Sequence, residues 1–319
     1  MRYITGGVTA PRGFSAAGLA CGLKKDGAPD LALVFSESPA VAAGVFTTNK
    51  VKAAPVIVSQ EHLAAEYARA VVLNSGNANA CLGEQGLQDA RAVATETAGL
   101  LQISPEEVLL GSTGVIGVPL PVGKILAALP NLVKSLSTTG GAAAARAIMT
   151  TDTRPKEWGC YFELGGEEVR IGGMAKGSGM INPKMATMLA VITTDARVER
   201  ELLREALREV VALTFNRITV DGDTSTNDTV FLLANGMAGA PPVTRGRSLD
   251  EFKAALYDVA VHLAKMIVED GEGATKFITV RVTGAATVEE AEAAGRAVAN
   301  SNLVKTAFFG EDANWGRVL

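Results

Sequence analysis

Short apolar runs closed by polar or glycine-rich turns recur along this chain, and amphipathic helical stretches separate them. The runs that predict β-strands cover residues 31–35, 55–59, 70–73, 160–164, 167–171, 187–194, 229–234 and 277–282. Gly165-Gly166 separates two of these runs and predicts a hairpin turn. Because both kinds of periodicity are present throughout, the pattern predicts a mixed α/β fold.

Helical periodicity fills most of the intervals between the strands. The predicted helices cover about residues 85–101, 122–136, 142–149, 198–214 and 248–268. Three hydroxyl residues stand three positions before a glutamate and predict capping boxes: Ser104, with a proline directly after it, Ser248 and Thr287. No internal repeat or low-complexity tract interrupts the sequence.

The composition excludes several classes of protein. A chain of 319 residues can bury a substantial core, and its net charge of −4 is not that of a nucleic-acid-binding domain. Its three cysteines, Cys21, Cys81 and Cys160, have no disulfide or zinc spacing. No run has the roughly 18 apolar residues of a membrane helix. We therefore expect a cytoplasmic protein without membrane or nucleic-acid partners.

Histidine and nucleotide chemistry are poorly supported. His62 and His262 are the only histidines and have no metal-site spacing; we expect His62 to be solvated and His262 to pack against a neighbour. No serine-hydrolase elbow, phosphate-binding loop or complete dinucleotide fingerprint occurs. Residues 221–228 superficially suggest a calcium loop but lack its glycine, which favours a turn stabilised by its own side chains. We expect no metal and no cofactor.

An unusual stretch remains, in which flexible glycines precede a threonine that opens an apolar run. Residues 173–196 read GMAKGSGMINPKMATMLAVITTDA. This stretch resembles the ornithine acetyltransferase family, also called the glutamate N-acetyltransferase or ArgJ family. Further stretches that resemble the family are residues 43–49, 74–81, 111–117, 150–153, 215–229, 270–276, 303–307 and 312–317. Together they span the chain almost from end to end.

The resemblance implies self-cleavage between Ala186 and Thr187. The products would be an α fragment, residues 1–186, and a β fragment, residues 187–319, that begins with the nucleophile. An α-amino group has a pKa of about 7.7 to 8.0, so the freed amine of Thr187 can accept the proton of its own hydroxyl near neutral pH. Taken alone, Thr187 would be an ordinary β-branched strand residue.

The resemblance also implies roles for five other residues. Thr113 and Gly114 match the oxyanion-hole pair of the family, and Thr153, Lys176, Thr187 and Glu272 match its substrate-binding positions. These residue types suit the roles. The Lys176 ammonium can pair with a substrate carboxylate, and the Glu272 carboxylate can pair with the side-chain ammonium of ornithine. Without the resemblance, Lys176 and Glu272 would be read as solvated charges and residues 111–117 as a turn.

The implied architecture is the αββα layered sandwich of ArgJ and DmpA-like proteins, with N-terminal-nucleophile processing and paired αβ units. Family members continue past residues 312–317 into a tail that helps to close the substrate site. The resemblance therefore implies that the β fragment is truncated at its C-terminus.

The implied activity is a ping-pong transfer of acetyl from N2-acetylornithine to glutamate through an acetyl-Thr187 intermediate. Whether acetyl-CoA also serves as a donor stays open. The alternatives are a DmpA-type N-terminal-nucleophile aminopeptidase or amidase, which passes the acyl group to water, and an inactive, uncleaved precursor or binding module.

Overall fold

A computed structural model describes residues 1–65, 67–182 and 188–319 of the chain. Its strands are β1 (Arg2–Tyr3), β2 (Phe14–Leu19), β3 (Leu31–Phe46), β4 (Ala68–Asn77), β5 (Val108–Val115), β6 (Lys156–Leu164), β7 (Glu167–Lys176), β8 (Leu189–Thr194) and β9 (Thr229–Ala234). Its α-helices are α1 (Ala54–His62), α2 (Gly83–Leu101), α3 (Val122–Lys134), α4 (Gly141–Ala147), α5 (Arg200–Leu213), α6 (Arg247–Glu269), α7 (Val288–Asn300) and α8 (Asn302–Phe309). Within these ranges, no helix has the length and apolar character needed to cross a membrane.

The long strand β3 joins two sheets. Its first half pairs with β2 and β4, and β4 pairs in parallel with β5; we call this group sheet B. Its second half pairs with β9, and the order continues through β8, β7 and β6 to β1; we call this group sheet A. The register of β3 against β4 shifts between Phe35 and Ala40, where the strand passes from one sheet to the other.

The two sheets lie face to face and helices cover their outer faces. Leu189 and Val191 of sheet A pack with Val71 and Leu109 of sheet B in a shared apolar layer. The opposite face of sheet A packs against α5 and α6, and that of sheet B against α2 and α3. Because the central strands bury both faces, they read as continuous apolar runs rather than alternating ones. The predicted αββα sandwich is confirmed.

Most predicted elements occur close to their expected positions, including the hairpin of β6 and β7 at Gly165-Gly166. The strand predicted for residues 55–59 is wrong, because these residues lie in helix α1. Pro55 sits in the first turn of that helix, where its missing N–H costs no hydrogen bond. Period alone cannot separate a short buried helix from a buried strand, and the apolar run 56–58 is ambiguous in this way.

The strand predicted for residues 277–282 from their alternating pattern does not form either. They form an irregular segment, and no strand pairs with them in the part of the chain that the structure describes. Phe277, Ile278 and Val280 are exposed and border a groove that α7 and α8 also line. An alternating pattern suits a half-buried strand, but a strand forms in a sheet only where a second strand is available for hydrogen bonding.

The three predicted capping boxes differ in outcome. Ser104 forms one at a short 3-10 helix, Pro105–Glu107, and Thr287 caps α7 by accepting from the amide of Glu290. The capping box predicted at Ser248 is wrong. Helix α6 begins at Arg247, so Ser248 is its second residue and not its N-cap. Ser248 instead bonds to Thr244, and Glu251 pairs with Arg247.

Close backbone approach is required at Gly172 in β7. A Cβ there would lie 1.8 Å from the carbonyl oxygen of Gly7, so backbone atoms would have to move. We expect Gly172→Ala to lower the free energy of unfolding by about 1 to 3 kcal/mol through overpacking, measured by urea denaturation.

The matched control is Gly99→Ala on the exposed face of α2, where a Cβ meets nothing within 4 Å. We expect it to raise stability by about 0.5 to 1 kcal/mol, as alanine does in a helix interior. An equal loss of stability in both variants would contradict the close packing of Gly172.

Candidate active site

The candidate site lies where strand ends from both sheets meet. Lys176, the last residue of β7, is in register with Leu189 at the start of β8, and Leu189 is in register with Thr229 at the start of β9. The Nζ of Lys176 lies 3.5 Å from the Oγ1 of Thr113, near the end of β5 in the other sheet. Two residues predicted from separate motifs are thus brought into contact.

A side-chain link fixes the two sheets beside this contact. The Nδ2 of Asn227, two residues before β9, donates to the carbonyl oxygens of Ser112 at 2.8 Å and Ala78 at 2.7 Å. Asn227 is buried, so both bonds are shielded from water. The end of β5 that carries Thr113 is therefore held against the start of β9.

Gly114, the second member of the predicted oxyanion pair, follows Thr113 at the edge of the buried layer. Its φ is +133°. A Cβ at this position would lie 2.3 Å from the carbonyl carbon of Gly76 in β4. Both the dihedral and the space require glycine here. Thr113 is buried whereas Gly114 is exposed, so its backbone is accessible at the surface of the site.

Lys176 is almost completely buried. Its Nζ donates to the Oγ1 of Thr150 at 2.7 Å and lies 3.7 Å from the Oδ2 of Asp152. Burial lowers the pKa of the Lys176 ammonium, while the carboxylates of Asp152 and Asp228 oppose that shift. The site therefore contains a desolvated amine whose charge depends on its carboxylate neighbours.

Asp152 connects Lys176 to a second buried lysine. Its Oδ1 accepts from the Nζ of Lys156 at 2.6 Å and from the amide of Gly177 at 2.7 Å. Burial acts against ionisation of this carboxyl, but Lys176 and Lys156 outweigh it and hold its pKa below the ordinary range. Asp152 is therefore ionised at neutral pH.

Lys156 continues the chain of charges to Asp270, whose Oδ2 accepts from its Nζ at 2.6 Å. Asp270 also accepts from the backbone amide of Thr153 at 3.0 Å and from the Thr153 hydroxyl. Burial again opposes ionisation, but the bonds from Lys156 and Thr153 lower the pKa of Asp270. Thr153 is thus fixed by a carboxylate 117 residues away in sequence.

Glu272 lies two residues beyond Asp270 and is exposed. Its amide donates to the carbonyl of Ser178 at 3.0 Å, and the Ser178 hydroxyl donates to the carbonyl of Asp270 at 2.6 Å. A Cβ on Gly179 would lie 2.5 Å from the Glu272 carboxylate, so glycine permits this approach. The loop that carries Glu272 is therefore held against the segment following Lys176.

Ala186 and Thr187, the predicted cleavage site and nucleophile, lie outside the described residues. Met188 is the first described residue after them, and its amide donates to the Oδ1 of Asp228 at 2.8 Å. Of the predicted site residues that the structure describes, it brings Thr113 and Lys176 into contact. It links Thr153 and Glu272 to them through Asp152, Lys156 and Asp270.

The histidines lie apart from this network. His262 stacks on Trp158 with ring centroids 3.9 Å apart, which confirms the predicted packing role. The prediction for His62 is wrong, because it is half-buried and its Nδ1 lies 2.7 Å from the carbonyl oxygen of Val108. Its place near the end of α1, rather than at a helix start, brings it against β5.

The turn at residues 221–228 is partly as predicted. The carboxylate of Asp221 accepts from the amides of Ile181 at 2.9 Å and Asp223 at 3.0 Å, so it serves backbone groups. No periodicity or motif separates Asp228 from this polar run, and none singles out Asp152, Lys156 or Asp270. Asp152, Asp228 and Asp270 do fall within the stretches that resemble the family, which is the signal that could have found them.

Comparison with known proteins supports the family that the sequence resembles. The sequence profile of the ArgJ family matches residues 15–319. A protein of Symbiobacterium thermophilum named arginine biosynthesis bifunctional protein ArgJ is 57% identical, over 100% of this chain and 80% of its own length. The ornithine acetyltransferase of Mycobacterium tuberculosis, solved in complex with ornithine, is 44% identical with a TM-score of 0.54, covering 57% of this chain and 98% of the solved chain.

A more distant structure shares the fold. The L-aminopeptidase D-Ala-esterase/amidase of Ochrobactrum anthropi has a TM-score of 0.51 at 12% identity, over 85% of this chain and 88% of its own. At that identity the likeness concerns the fold alone, and it places the layered sandwich among DmpA-like structures. The profile match and the 57% identity over the full chain show that this chain belongs to the ArgJ family.

Proposed function

We propose that this chain is a self-processing acetyltransferase of arginine biosynthesis that moves acetyl from N2-acetylornithine to glutamate. The names of its relatives support the reaction class, and the ornithine bound to the Mycobacterium tuberculosis protein supports the substrate class. The observation that carries the proposal is the contact between Lys176 and Thr113 at the meeting point of the two sheets. It joins a substrate-binding position to an oxyanion-hole position.

Processing is the first step of the proposed function. Cleavage between Ala186 and Thr187 would give fragments 1–186 and 187–319, and the second would begin with a free threonine amine. The match to the Mycobacterium tuberculosis chain supports this division, since it takes up about the share of this chain that residues 1–186 represent.

Acetyl transfer then takes place in two halves. The Thr187 oxygen attacks the acetyl carbonyl as its proton passes to the Thr187 amine, and the C–N bond to ornithine breaks with that proton leaving on ornithine. Glutamate attacks the resulting ester through its amine, the C–O bond to Thr187 breaks, and a proton from the glutamate amine passes through the Thr187 amine to the Thr187 oxygen. Thr113 and Gly114 would donate hydrogen bonds to the negative oxygen in both halves.

The buried contacts define what each binding residue can offer. Lys176 already donates to Thr150, so it would approach a substrate carboxylate with an N–H left over from that bond. The Thr153 hydroxyl donates to Asp270, which leaves its lone pairs for a substrate ammonium. Glu272 is exposed and would pair with the side-chain ammonium of ornithine.

The rival reaction, in which water takes the acetyl group, makes a different product from the same substrate. We expect the purified protein to convert N2-acetylornithine and glutamate into N-acetylglutamate, measured by mass spectrometry. Thr187→Ala should abolish both this activity and chain cleavage, because it removes the attacking oxygen, whereas Thr139→Ala on an exposed turn should change neither. Free acetate formed at a rate independent of glutamate would instead support the amidase.

The proposed fragments interleave within sheet A, which predicts that they stay together after cleavage. Strands β8 and β9 of fragment 187–319 lie between β7 and β3 of fragment 1–186. Six residue pairs join β7 to β8 and six join β3 to β9. We expect both fragments to elute as one species in native size-exclusion chromatography and to separate only in denaturant. Separation in native buffer would contradict the division at residue 187, and the size of the species would show whether αβ units pair.

Removal of the Lys176 charge should weaken use of the substrate. A hydrogen bond to a charged group contributes about 1.5 to 3 kcal/mol, so we expect Lys176→Met to lower kcat/KM for N2-acetylornithine about 10- to 150-fold. Lys25→Met, at an exposed position, is the matched control and should leave kcat/KM unchanged. Equal kcat/KM values in folded Lys176→Met and wild-type protein would contradict the assigned role.

A further inference from the structure

The loop that joins β2 to β3 lies against the end of β4, beside the proposed oxyanion pair. A Cβ on Gly76 in β4 would lie 3.4 Å from the Cγ of Lys24 and 3.4 Å from the Cβ of Leu23. Gly76 is in register with Gly114 across the parallel pair of β4 and β5. The stem of Lys24 therefore packs on the strand directly next to Gly114.

A buried carboxylate holds this loop in place. Asp30 is completely buried, and its side-chain oxygens accept from the backbone amides of Cys21 at 2.6 Å, Leu23 at 2.6 Å and Lys24 at 2.9 Å. The carbonyl of Asp30 accepts from the amide of Ser75 in β4 at 2.9 Å. The backbone of Lys24 is thus fixed relative to β4 by contacts within the protein itself.

The ammonium of Lys24 keeps donors for a further partner. Its side chain is half-buried, and its Nζ donates to the carbonyl oxygen of Pro29 at 2.7 Å. An ammonium has three N–H groups, so two remain without a partner among the described residues. Within those residues, no carboxylate forms an ion pair with this lysine.

The charge of Lys24 also acts on the ionic network of the site. Burial lowers the pKa of the Lys24 ammonium, while nearby carboxylates, among them Asp152, act against that shift. Asp152 is the carboxylate whose Oδ2 lies 3.7 Å from the Nζ of Lys176. The site therefore has two lysines near one carboxylate, of which Lys176 is buried and Lys24 is partly accessible.

The two proposed substrates carry opposite charges on their side chains. Ornithine has a side-chain ammonium, for which Glu272 is the proposed partner, whereas glutamate has a second carboxylate. That carboxylate cannot take the place of the ornithine ammonium without repulsion from Glu272. Since Lys176 is assigned to the α-carboxylate, the side chain of glutamate needs a second cation.

Two other cations that are close in sequence to proposed binding residues are already paired. Arg154 lies 2.8 Å from the carboxylate of Glu269. Lys276 lies 3.2 Å from the carboxylate of Glu311. Lys24 differs from both, because its ammonium has no carboxylate partner among the described residues and keeps two donors.

We propose that Lys24 is a specificity-determining residue that binds the side-chain carboxylate of glutamate, the acetyl acceptor. This inference rests on the proposed function and deepens it, because it gives the acceptor side chain a place separate from that of ornithine. The ammonium of Lys24 donates its two remaining N–H groups to the carboxylate, while Pro29 keeps the third.

The test compares two acceptors that differ in one group. Glutamate and glutamine have nearly the same size, but only glutamate has a side-chain carboxylate. Purified protein receives acetyl from N2-acetylornithine, and kcat/KM for each acceptor is measured by mass spectrometry of the acetylated product. We expect Lys24→Met to lower kcat/KM for glutamate at least about 10-fold and to leave that for glutamine unchanged. Release of ornithine in a single turnover should keep its wild-type rate.

Lys25→Met is the matched control, because Lys25 has the same charge, is the next residue and is exposed. We expect it to leave kcat/KM for both acceptors unchanged. Lys24→Arg keeps the charge and should retain most of the preference for glutamate. Circular dichroism and the melting temperature of each variant show whether it folds.

The outcomes separate the two proposals. A wild-type protein that makes no N-acetylglutamate would overturn the proposed function, and the role of Lys24 with it. A wild-type ratio of kcat/KM for the two acceptors in folded Lys24→Met would overturn the role of Lys24 alone. If Lys24→Met does not fold, the wild-type protein decides. A preference for glutamate that falls as sodium chloride is added supports the role, and its absence, or a preference that salt does not change, overturns it.

Discussion

A buried row of alternating charges holds the candidate site together. Lys156 lies between the carboxylates of Asp152 and Asp270, and Asp152 also faces Lys176. Charges taken out of water are tolerated only when paired and hydrogen-bonded, so each member depends on the others. Through backbone and hydroxyl bonds the row also fixes Thr153 and Gly177. Positions of the predicted binding residues thus follow from one ionic network.

The network also prepares the electrostatics of the site. Burial alone would favour a neutral Lys176, whereas the carboxylate of Asp152 stabilises its ammonium form. A cation held in place before substrate arrives needs little rearrangement when a carboxylate or a developing oxyanion binds nearby. Lys176 contacts Thr113 across the two sheets, so in the proposed reaction the same group would influence both binding and the reacting carbonyl.

The alternation of apolar runs and helical stripes is enough to predict a mixed α/β fold, because burial on both faces leaves a direct mark on the sequence, whereas the layered sandwich is predicted through the resemblance. It failed at 55–59, where helix and strand bury the same residues, and at 277–282, where pairing depends on a neighbour. Thr113, Gly114, Lys176 and Glu272 were predicted through resemblance rather than periodicity. Lys156 and Asp270 are 114 residues apart, and Asp228 ends a polar turn, so only tertiary structure reveals their partners.

The insertion of β8 and β9 between β7 and β3 has a consequence for the order of events in biosynthesis. If the chain is processed as proposed, we expect the sheet to form while the polypeptide is still continuous, because β7 and β8 are then parts of one chain. After the proposed cleavage between residues 186 and 187, recovery from denaturation would be a bimolecular reaction in which two chains must find each other. A mature protein of this kind would carry a structure that its separate pieces regain only at a rate set by their concentration.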